Sequence, residues 1–589
     1  MCKGRSFLPQ NCLNCSIVNR VNRMNFIVLL LAIMGQLLFS NSYAQTASNT
    51  YSKPLDTGDS AWTWVNEIQS SRPNYYKAKA LFDAYWGGVV PKKGGGYKAF
   101  KRWEFRVINR LDDSGYVVWD QGIINEFLSL LGDGSATATS GLPNTGKSVS
   151  GAAPNGGSPV QPVVNCGTQG RWEAVGPVKH PWNQTSQPTG IGRINGIAFH
   201  PTDSNTFFAL APQGGVWKTS DYGKTWSHFW NAPNSSGFLT LGASAMVLSH
   251  KNPDTLYIGT GDCDAGDAPG YGVIYSPNGG KTFALRNTGM GNVTVGRIIM
   301  HPKNSGYLLA ATSGGVFRSL NSGSTWTRTS PNTSKYHDLV FHPTNPNIVY
   351  TASNGYFYRS TDGGASFVQI TVGLPTTGMQ RGQIAVTAAD KAKVYFLIAA
   401  NSKFYGFYLS QDSGQSFSNQ ASTPANILGY SELGTDNSGQ GWYDLDVAAD
   451  PKNANTVYVF GVNVWKSTNA GVSFSISGHW VGSTADDIHA DQHIGDFGIT
   501  GKTLFAGNDG GIYFSGDGGK KYVNISSGIQ NSQIYRLDVS QNQPFMSAQG
   551  YQDNGSAQQN RDEFYTYYGG DGMDCAVDPR TINTFTDLM

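Results

Sequence analysis

The sequence is poor in charge, and its main body has no long apolar run. Charged residues make up 14% of the 589 positions, and the formal net charge is only +2. Proteins that bind nucleic acid need a concentrated basic face, so we expect no nucleic acid partner. One basic cluster is interpreted as a solvated surface, and it comprises Lys92, Lys93, Lys98, Lys101, Arg102, Arg106 and Arg110. No segment after the first 44 residues is apolar enough to predict a membrane span.

Cysteine is also scarce, and half of it falls before the predicted mature chain. Of the six cysteines, Cys12 and Cys15 lie in an extension upstream of Met24, which is the better predicted start. The predicted mature chain keeps Cys166, Cys263 and Cys575, which permit at most one internal disulfide. The sequence leaves their pairing open.

The first 44 residues are interpreted as an upstream extension followed by a signal peptide. Arg20 and Arg23 precede an apolar run from Phe26 to Phe39, and small residues lead to Ala44. A charged start, a short apolar core and a small-residue end are typical of an export signal. We therefore expect cleavage after Ala44 and a secreted or cell-surface protein with no membrane span.

In contrast to charged residues, glycine and aromatic residues are abundant in the sequence. The 73 glycines and 12% aromatic content favour many short strands joined by tight turns. Before this body, residues 45–131 predict a small helical region, since Ala78, Phe82 and Trp86 share one helical face. Residues 132–165 are rich in Gly, Ser, Thr and Pro, which predicts a flexible linker.

A single turn motif recurs along the rest of the chain. It follows the pattern Ser/Thr-x-Asp-x-Gly-x-Thr-Trp, and each copy closes a group of strands. The copies, spaced by 41 to 57 residues, are Thr219–Trp226, Ser276–Phe283, Ser319–Trp326, Ser360–Phe367, Ser410–Phe417, Ser467–Phe474 and Ser515–Tyr522. This period matches a four-stranded blade, so the sequence predicts an all-β propeller.

The chemistry of the repeated turn is predicted to be structural. An Asp such as Asp221 can accept bonds from backbone N–H groups of its own turn, and the terminal aromatic can fill the space between blades. Three copies carry Asn in place of Asp, at Asn278, Asn321 and Asn469. A turn tolerates that exchange, whereas a catalytic carboxylate would not.

These repeats resemble the Asp boxes of a large propeller superfamily, which includes sortilin-type receptors, family 74 xyloglucanases and sialidases. The sequence is most similar to large secreted bacterial sortilin-like proteins. The segments that carry this likeness are Gly441–Leu445, His489–His493, Gly507–Gly511, Gln552–Gly555 and Gly569–Met573.

The resemblance implies a propeller over residues 166–589, with ligands bound around its channel. After the seventh Asp box, the segment from Ile534 to Pro579 is predicted to form an eighth blade that lacks an Asp box. Sortilin-type rings have ten blades, so the resemblance implies a C-terminally incomplete ring, truncated from a larger propeller or from a propeller pair.

Ligands are expected on the face opposite the boxes, where the innermost strands begin and the second-to-third-strand loops lie. The candidate ligand-binding residues there are Arg193, Arg297, Arg381, Trp442, Tyr443, His489, His493, Asp509, Asp553 and Asp571. His489, Asp491 and His493 alternate, which predicts one shared strand face. A polar network, a transition-metal site and an acid–base site all remain open for these three residues.

A second acidic segment is a candidate calcium site. Asp262, Asp264 and Asp267 place three carboxylates within six positions, with Gly266 for the bend. Oxygen-rich turns suit calcium, although the spacing differs from an EF-hand, and a self-capped acidic loop is the alternative. No cofactor is otherwise required.

Two classes of function follow from the resemblance. The first is a secreted binding module for a polypeptide or glycan. The second is a polysaccharide hydrolase that uses a pair of carboxylates among Asp444, Asp446 and Asp491, with one protonated and one ionised. A true sialidase is not expected, because only Glu173, Glu432 and Glu563 follow residue 170 and no Arg-Ile-Pro occurs.

Overall fold

The computed structural model describes two stretches of the chain, each with short gaps. The described residues are 63–117 without 71, 88–96, 109–110 and 113, and 175–587 without 184, 186, 230–241, 421–422, 483, 541–542, 544, 562 and 578–584. The predicted signal peptide, the linker 132–165 and Cys166 lie outside the described residues. Among the described residues, Cys263 and Cys575 are free thiols, and no helix is long and apolar enough to cross a membrane.

Three helices precede the strands. They are α1 (Thr63–Ile68), α2 (Tyr75–Trp86) and α3 (Tyr97–Val107). Helix α2 begins where the Asn74 side chain accepts a hydrogen bond from the Lys77 backbone N–H, and it ends at Gly87 in the left-handed conformation. Its buried face includes Ala78, Phe82 and Trp86, as the sequence periodicity predicted.

Each of the first five sheets is an antiparallel set of four consecutive strands. A short strand β1 (Trp182–Asn183) comes first and belongs to a later sheet. The five sheets are β2–β5 (Gly196–Phe199, Phe207–Ala211, Gly215–Thr219, Ser227–His228), β6–β9 (Ala243–Leu248, Leu256–Thr260, Val273–Ser276, Ala284–Leu285), β10–β13 (Val295–His301, Asn304–Thr312, Gly315–Ser319, Thr327–Arg328), β14–β17 (Asp338–Phe341, Val349–Ser353, Tyr356–Ser360, Val368–Ile370) and β18–β21 (Arg381–Val386, Val394–Ala400, Lys403–Ser410, Ser418–Asn419).

The remaining sheets vary this pattern. The sixth adds a parallel fifth strand, and the eighth takes β1 as its parallel edge. They are β22–β26 (Asp446–Ala449, Val457–Phe460, Val464–Ser467, Ser475–His479, Asp486–Asp487), β27–β30 (Gln492–Phe497, Leu504–Asn508, Gly511–Ser515, Val523–Asn524), β31–β34 (Ile534–Val539, Met546–Tyr551, Ser556–Asn560, Glu563–Tyr568) and a final pair β35–β36 (Cys575–Val577, Phe585–Asp587).

The repeated turns have the structural role predicted for them. The Asp221 carboxylate accepts hydrogen bonds from the backbone N–H of Thr225 at 2.9 Å and from its hydroxyl at 2.6 Å. Asn278 joins the same two groups of Thr282, since its amide oxygen accepts from the backbone N–H and its amide N–H donates to the hydroxyl, both at 2.9 Å. Asp and Asn are therefore interchangeable in this turn, as its sequence variation indicated.

The terminal aromatic of each turn reaches the neighbouring sheet. The indole N–H of Trp226 donates to the Ile525 carbonyl at 2.6 Å, and that of Trp326 donates to the Arg286 carbonyl at 2.8 Å. Each bond joins two different sheets, so the closing aromatics act as wedges between blades, as predicted.

The first seven sheets form a closed ring. A separate apolar cluster lies between each successive pair of sheets, and a seventh cluster joins the seventh sheet to the first. Within that last cluster the rings of Phe207 and Phe505 lie 5.2 Å apart, and the Ile194 N–H donates to the Asn508 carbonyl at 2.9 Å. The predicted β-propeller is confirmed.

The eighth sheet stands outside this closed ring. The first and seventh sheets are in contact, which leaves no space for another blade between them. The sequence had left two arrangements open, a single larger propeller and a pair of propellers. The structure shows a ring of seven sheets, so the single larger ring is wrong. The turn after β32 nevertheless folds back against the ring, where Asn554 donates to the Asp509 carbonyl at 3.0 Å.

We expect the wedge aromatics to dominate the packing between blades. Trp326 is almost wholly buried, so replacing it with Ala leaves a cavity between the second and third sheets. Trp326→Ala is expected to lower the free energy of unfolding by about 3–5 kcal/mol, measured by urea denaturation. Val368→Ala is the control, because Val368 is 67% exposed. Equal losses in the two variants would contradict the wedge role.

The Asp boxes should also make the fold acid-sensitive. Burial opposes ionisation, but hydrogen bonds from Ser366 and Ser360 lower the pKa of Asp362 to about 2, and Ser416 and Ser410 do the same for Asp412. A depressed pKa contributes stability above the unfolded value of 3.8, and that stability is lost as the pH falls toward 2.

The double variant Asp362→Asn/Asp412→Asn tests this sensitivity. It should match the wild type in melting temperature at pH 6, since Asn preserves the turn, and should lose less stability between pH 4 and 2.5. Parallel melting-temperature curves for the two proteins would contradict the assignment.

Candidate functional site

The N-terminal helices cover the centre of the ring on the predicted ligand face. Trp64 of α1 contacts Trp442, with ring centroids 5.9 Å apart, and also packs on Phe82 and Phe100. Beyond the helix end, Gln69 donates to the Asp264 carbonyl and accepts a hydrogen bond from Lys335 at 2.9 Å. The charged residues beneath are therefore enclosed.

Arg193 neutralises two carboxylates of the acidic loop. Its guanidinium lies 2.6 Å from Asp262 and 3.4 Å from Asp267, and all three side chains are buried. Asp262 also accepts backbone hydrogen bonds from Asp264, Ala265 and Asp267, which fixes the loop around it. This arrangement is the self-capped acidic loop that the sequence left as one alternative. Calcium at this loop stays a prediction.

Asp264, the third acid of the loop, lies between two cations. Arg381 donates to one of its oxygens at 3.0 Å, and His493 contacts the other at 3.0 Å. Burial opposes ionisation, but Arg381 and His493 hold the pKa of Asp264 well below its usual range. Arg381 also donates to the carbonyls of Trp442 and Tyr443, which ties the centre of the fifth sheet to the start of the sixth.

His493 and Tyr443 extend the network to Asp509. The second nitrogen of His493 lies 2.9 Å from Asp509, and the Tyr443 hydroxyl donates to the same carboxylate at 2.8 Å. Burial disfavours the imidazolium, but Asp509 and Asp264 raise the pKa of His493 to about 10. Because Arg193 also donates to the Tyr443 hydroxyl at 2.9 Å, a continuous set of hydrogen bonds and ion pairs crosses the ring from Arg193 to Asp264.

Arg297 belongs to a separate cluster. It pairs with Asp338 at 3.3 Å and with Asp446 at 3.1 Å. Burial raises the pKa of Asp446 to about 6 despite Arg297. Arg297 thus shares no carboxylate partner with Arg193 or Arg381, the other two arginines among the candidate ligand-binding residues.

Asp444 and Asp491 lie together in an acidic environment. Asp444 is 0% exposed, and neither of its carboxylate oxygens has a hydrogen-bond partner. Asp491 accepts a hydrogen bond from Gln440 at 2.8 Å. Burial raises the pKa of both carboxyls well above the usual range, and for Asp491 the neighbouring Asp444, Asp509 and Asp553 act in the same direction.

Residues of the eighth sheet complete the site. A ring nitrogen of His489 lies 3.1 Å from the Asp553 carbonyl oxygen, and the Asp553 N–H donates to Asp571 at 3.1 Å. Asp553 and Asp571 are partly exposed, unlike the acids of the ring.

The predicted shared face of His489, Asp491 and His493 is wrong. Strand β27 begins only at Gln492, and Asp491 adopts a left-handed backbone conformation with φ of 66°. The regular alternation of side chains is broken at that point. The two imidazoles consequently have different partners, His489 at Asp553 and His493 at Asp264 and Asp509.

Several site residues were not found from the sequence. Asp338 lies at the start of an innermost strand, in the position equivalent to that of Arg381, and the same reasoning that selected Arg381 would have found it. Lys335 and Gln69 carry no comparable signal, because they reach the centre from a loop and from the end of a helix. Tyr430 lies in a long loop and its pKa is raised by burial and by Asp491, Asp444 and other acids.

The fold and site define a β-propeller whose centre is sealed by ion pairs and helices. Residues 314–432 match the profile of the Sortilin-Vps10 family, described as "Sortilin, neurotensin receptor 3". The predicted resemblance to sortilin-like propellers is confirmed. No curated protein sequence matches the chain.

Solved structures with a similar fold include two glycoside hydrolase family 74 proteins. An ancestral enzyme of that family is 18% identical over 66% of this chain and 55% of its own, with a TM-score of 0.48. The xyloglucanase from Xanthomonas campestris is 15% identical over 66% of this chain and 63% of its own, with a TM-score of 0.49. The chain thus spans under two thirds of both.

A third similar structure is YCF48 bound to D1 peptide. It is 13% identical over 58% of this chain and 97% of its own, with a TM-score of 0.39.

We expect removal of Arg193 to be more damaging than removal of Arg297. Arg193→Met leaves Asp262 and Asp267 buried without their cation, which should cost about 3–5 kcal/mol of unfolding free energy. The Arg297 side chain is 29% exposed, compared with 1% for Arg193, and Asp446 beside it is more readily protonated. Arg297→Met is therefore the matched control with a smaller expected loss, and the reverse order in chemical denaturation would contradict this assignment.

Proposed function

We propose that this chain is an extracellular binding module that recognises a polypeptide and catalyses no reaction. The observation that carries the proposal is the enclosure of the polar centre. Arg193, Arg381 and His493 each pair with carboxylates of the same chain, and α1 lies over them. Groups that neutralise one another under a helix stabilise the ring rather than meet a substrate.

The burial of two aromatic residues, Trp442 and Tyr551, favours a polypeptide over a glycan as the ligand. Sugar rings stack on exposed aromatic faces, but Trp442 is 4% exposed and Tyr551 is 1% exposed. The eighth sheet instead exposes aliphatic and aromatic side chains, including Leu537 at 57% and Phe545 at 66%. Exposed apolar groups of this kind are typical of protein-binding surfaces.

A peptide selection tests this proposal. Peptides from a random phage-displayed library, selected on the purified full chain, should bind Leu537→Lys about tenfold more weakly or worse, and should bind Val368→Lys with unchanged affinity. Both side chains are exposed, so neither variant should unfold the protein. Failure to enrich any peptide, or equal binding to both variants, would contradict the proposed surface.

A hydrolase is the second candidate, and one observation favours it. Burial raises the pKa of Asp444, whereas His493 and Arg193 lower the pKa of Asp509 despite its burial. Neighbouring carboxyls with opposite shifts are the usual basis of an acid and its partner base in glycosidases. Such a reaction would require the helices over the centre to move.

Assays against polysaccharides distinguish the two candidates. The full chain is expected to release no reducing sugar from xyloglucan or other plant and host glycans. Turnover that Asp444→Asn abolishes, while Asp221→Asn on the opposite face retains it, would overturn the binding proposal and support the hydrolase.

A further inference from the structure

We propose that Asp491, Asp509 and Asp553 bind a divalent cation, most suitably Ca²⁺, between the ring and the eighth sheet. One carboxylate oxygen of each residue lies within 4.8 Å of the others. Asp491 directly precedes β27, Asp509 lies in the turn between β28 and β29, and Asp553 lies in the turn after β32. The site therefore joins two parts of the fold that are distant in sequence.

A fourth carboxylate provides independent support. Both oxygens of Asp444 are buried and have no hydrogen-bond partner. The Asp444 backbone N–H donates to the Gln440 carbonyl at 3.1 Å, and the Gln440 side chain donates to Asp491 at 2.8 Å, so Gln440 contacts both acids. A fully desolvated carboxylate without partners is costly, and it points to a ligand on the same side as Asp491.

The nearby protein cations are already engaged. Arg193 pairs with Asp262 and Asp267, and Arg381 pairs with Asp264. His493 is shared between Asp264 and Asp509. The acids at the junction thus outnumber the cations among the described side chains, and a divalent cation would stabilise their ionised forms.

The donor set selects the chemistry of the cation. All candidate ligand atoms are carboxylate oxygens, which suit hard cations such as Ca²⁺, Mn²⁺ and Mg²⁺ rather than zinc or copper. Ca²⁺ tolerates irregular geometry and completes its shell with carbonyl oxygens and water. Asp553 is partly exposed, which leaves an approach for the ion. This site is distinct from the loop at Asp262, whose carboxylates face arginines.

Calorimetric titration of the EDTA-treated full chain with CaCl₂, and separately with MnCl₂, tests the inference. One binding site per chain is expected. Asp491→Asn and Asp553→Asn should each weaken the affinity by about tenfold or more, because each removes a charged ligand. Asp221→Asn is the matched control, since Asn already occupies that position in three other turns, and its affinity should be unchanged.

Melting temperatures in EDTA separate ligand loss from misfolding. Without metal, Asp491→Asn relieves repulsion among the acids and should melt at or above the wild-type temperature, while calcium should stabilise only the wild type and the control. Absence of calcium or manganese binding would overturn the inference. So would binding that survives the double variant Asp491→Asn/Asp553→Asn, because the ion would then lie elsewhere.

Discussion

Closure between the first and seventh sheets is the contact on which the rest of the structure depends. The apolar cluster around Phe207 and Phe505 completes a circle of seven such clusters. Only in a closed circle do the starts of all the innermost strands meet at one centre. Arg193 from the first sheet can then reach Tyr443 from the start of the sixth at 2.9 Å. The polar network is thus a product of ring packing rather than of local sequence.

Burial of so many charges requires them to satisfy one another. An isolated ion in the interior is strongly disfavoured, and a buried pair is stable only when its geometry and hydrogen bonds are good. Asp262 meets this requirement with Arg193 and three backbone N–H groups, and Asp264 meets it with Arg381 and His493. Asp444 does not meet this requirement, because neither of its carboxylate oxygens has a hydrogen-bond partner. The centre therefore has one part in which the acids are ion-paired and another, around Asp444 and Asp491, in which acids predominate.

The sequence predicted the features that depend on local chemistry. The seven turns were found because each is a self-contained pattern of hydrogen bonds, and α2 was found because its apolar face repeats at helical spacing. The number of blades in the ring was not, since it depends on Phe207 meeting Phe505 almost 300 residues later in the chain. The candidate residues of the centre were mostly found, but their pairing was not. Strict alternation along a strand predicted that His489, Asp491 and His493 share one face. The left-handed backbone at Asp491 breaks that alternation, so the two histidines have different partners.

The parallel pairing of β1 with β34 has a consequence for how the chain enters and leaves the ring. Trp182 precedes every blade and pairs with Tyr565, which follows all seven, and its indole also donates to Glu563 at 3.0 Å. The two ends of the circular portion are therefore fastened to each other outside the circle. Opening the ring between the first and seventh sheets would therefore also require this pairing to break.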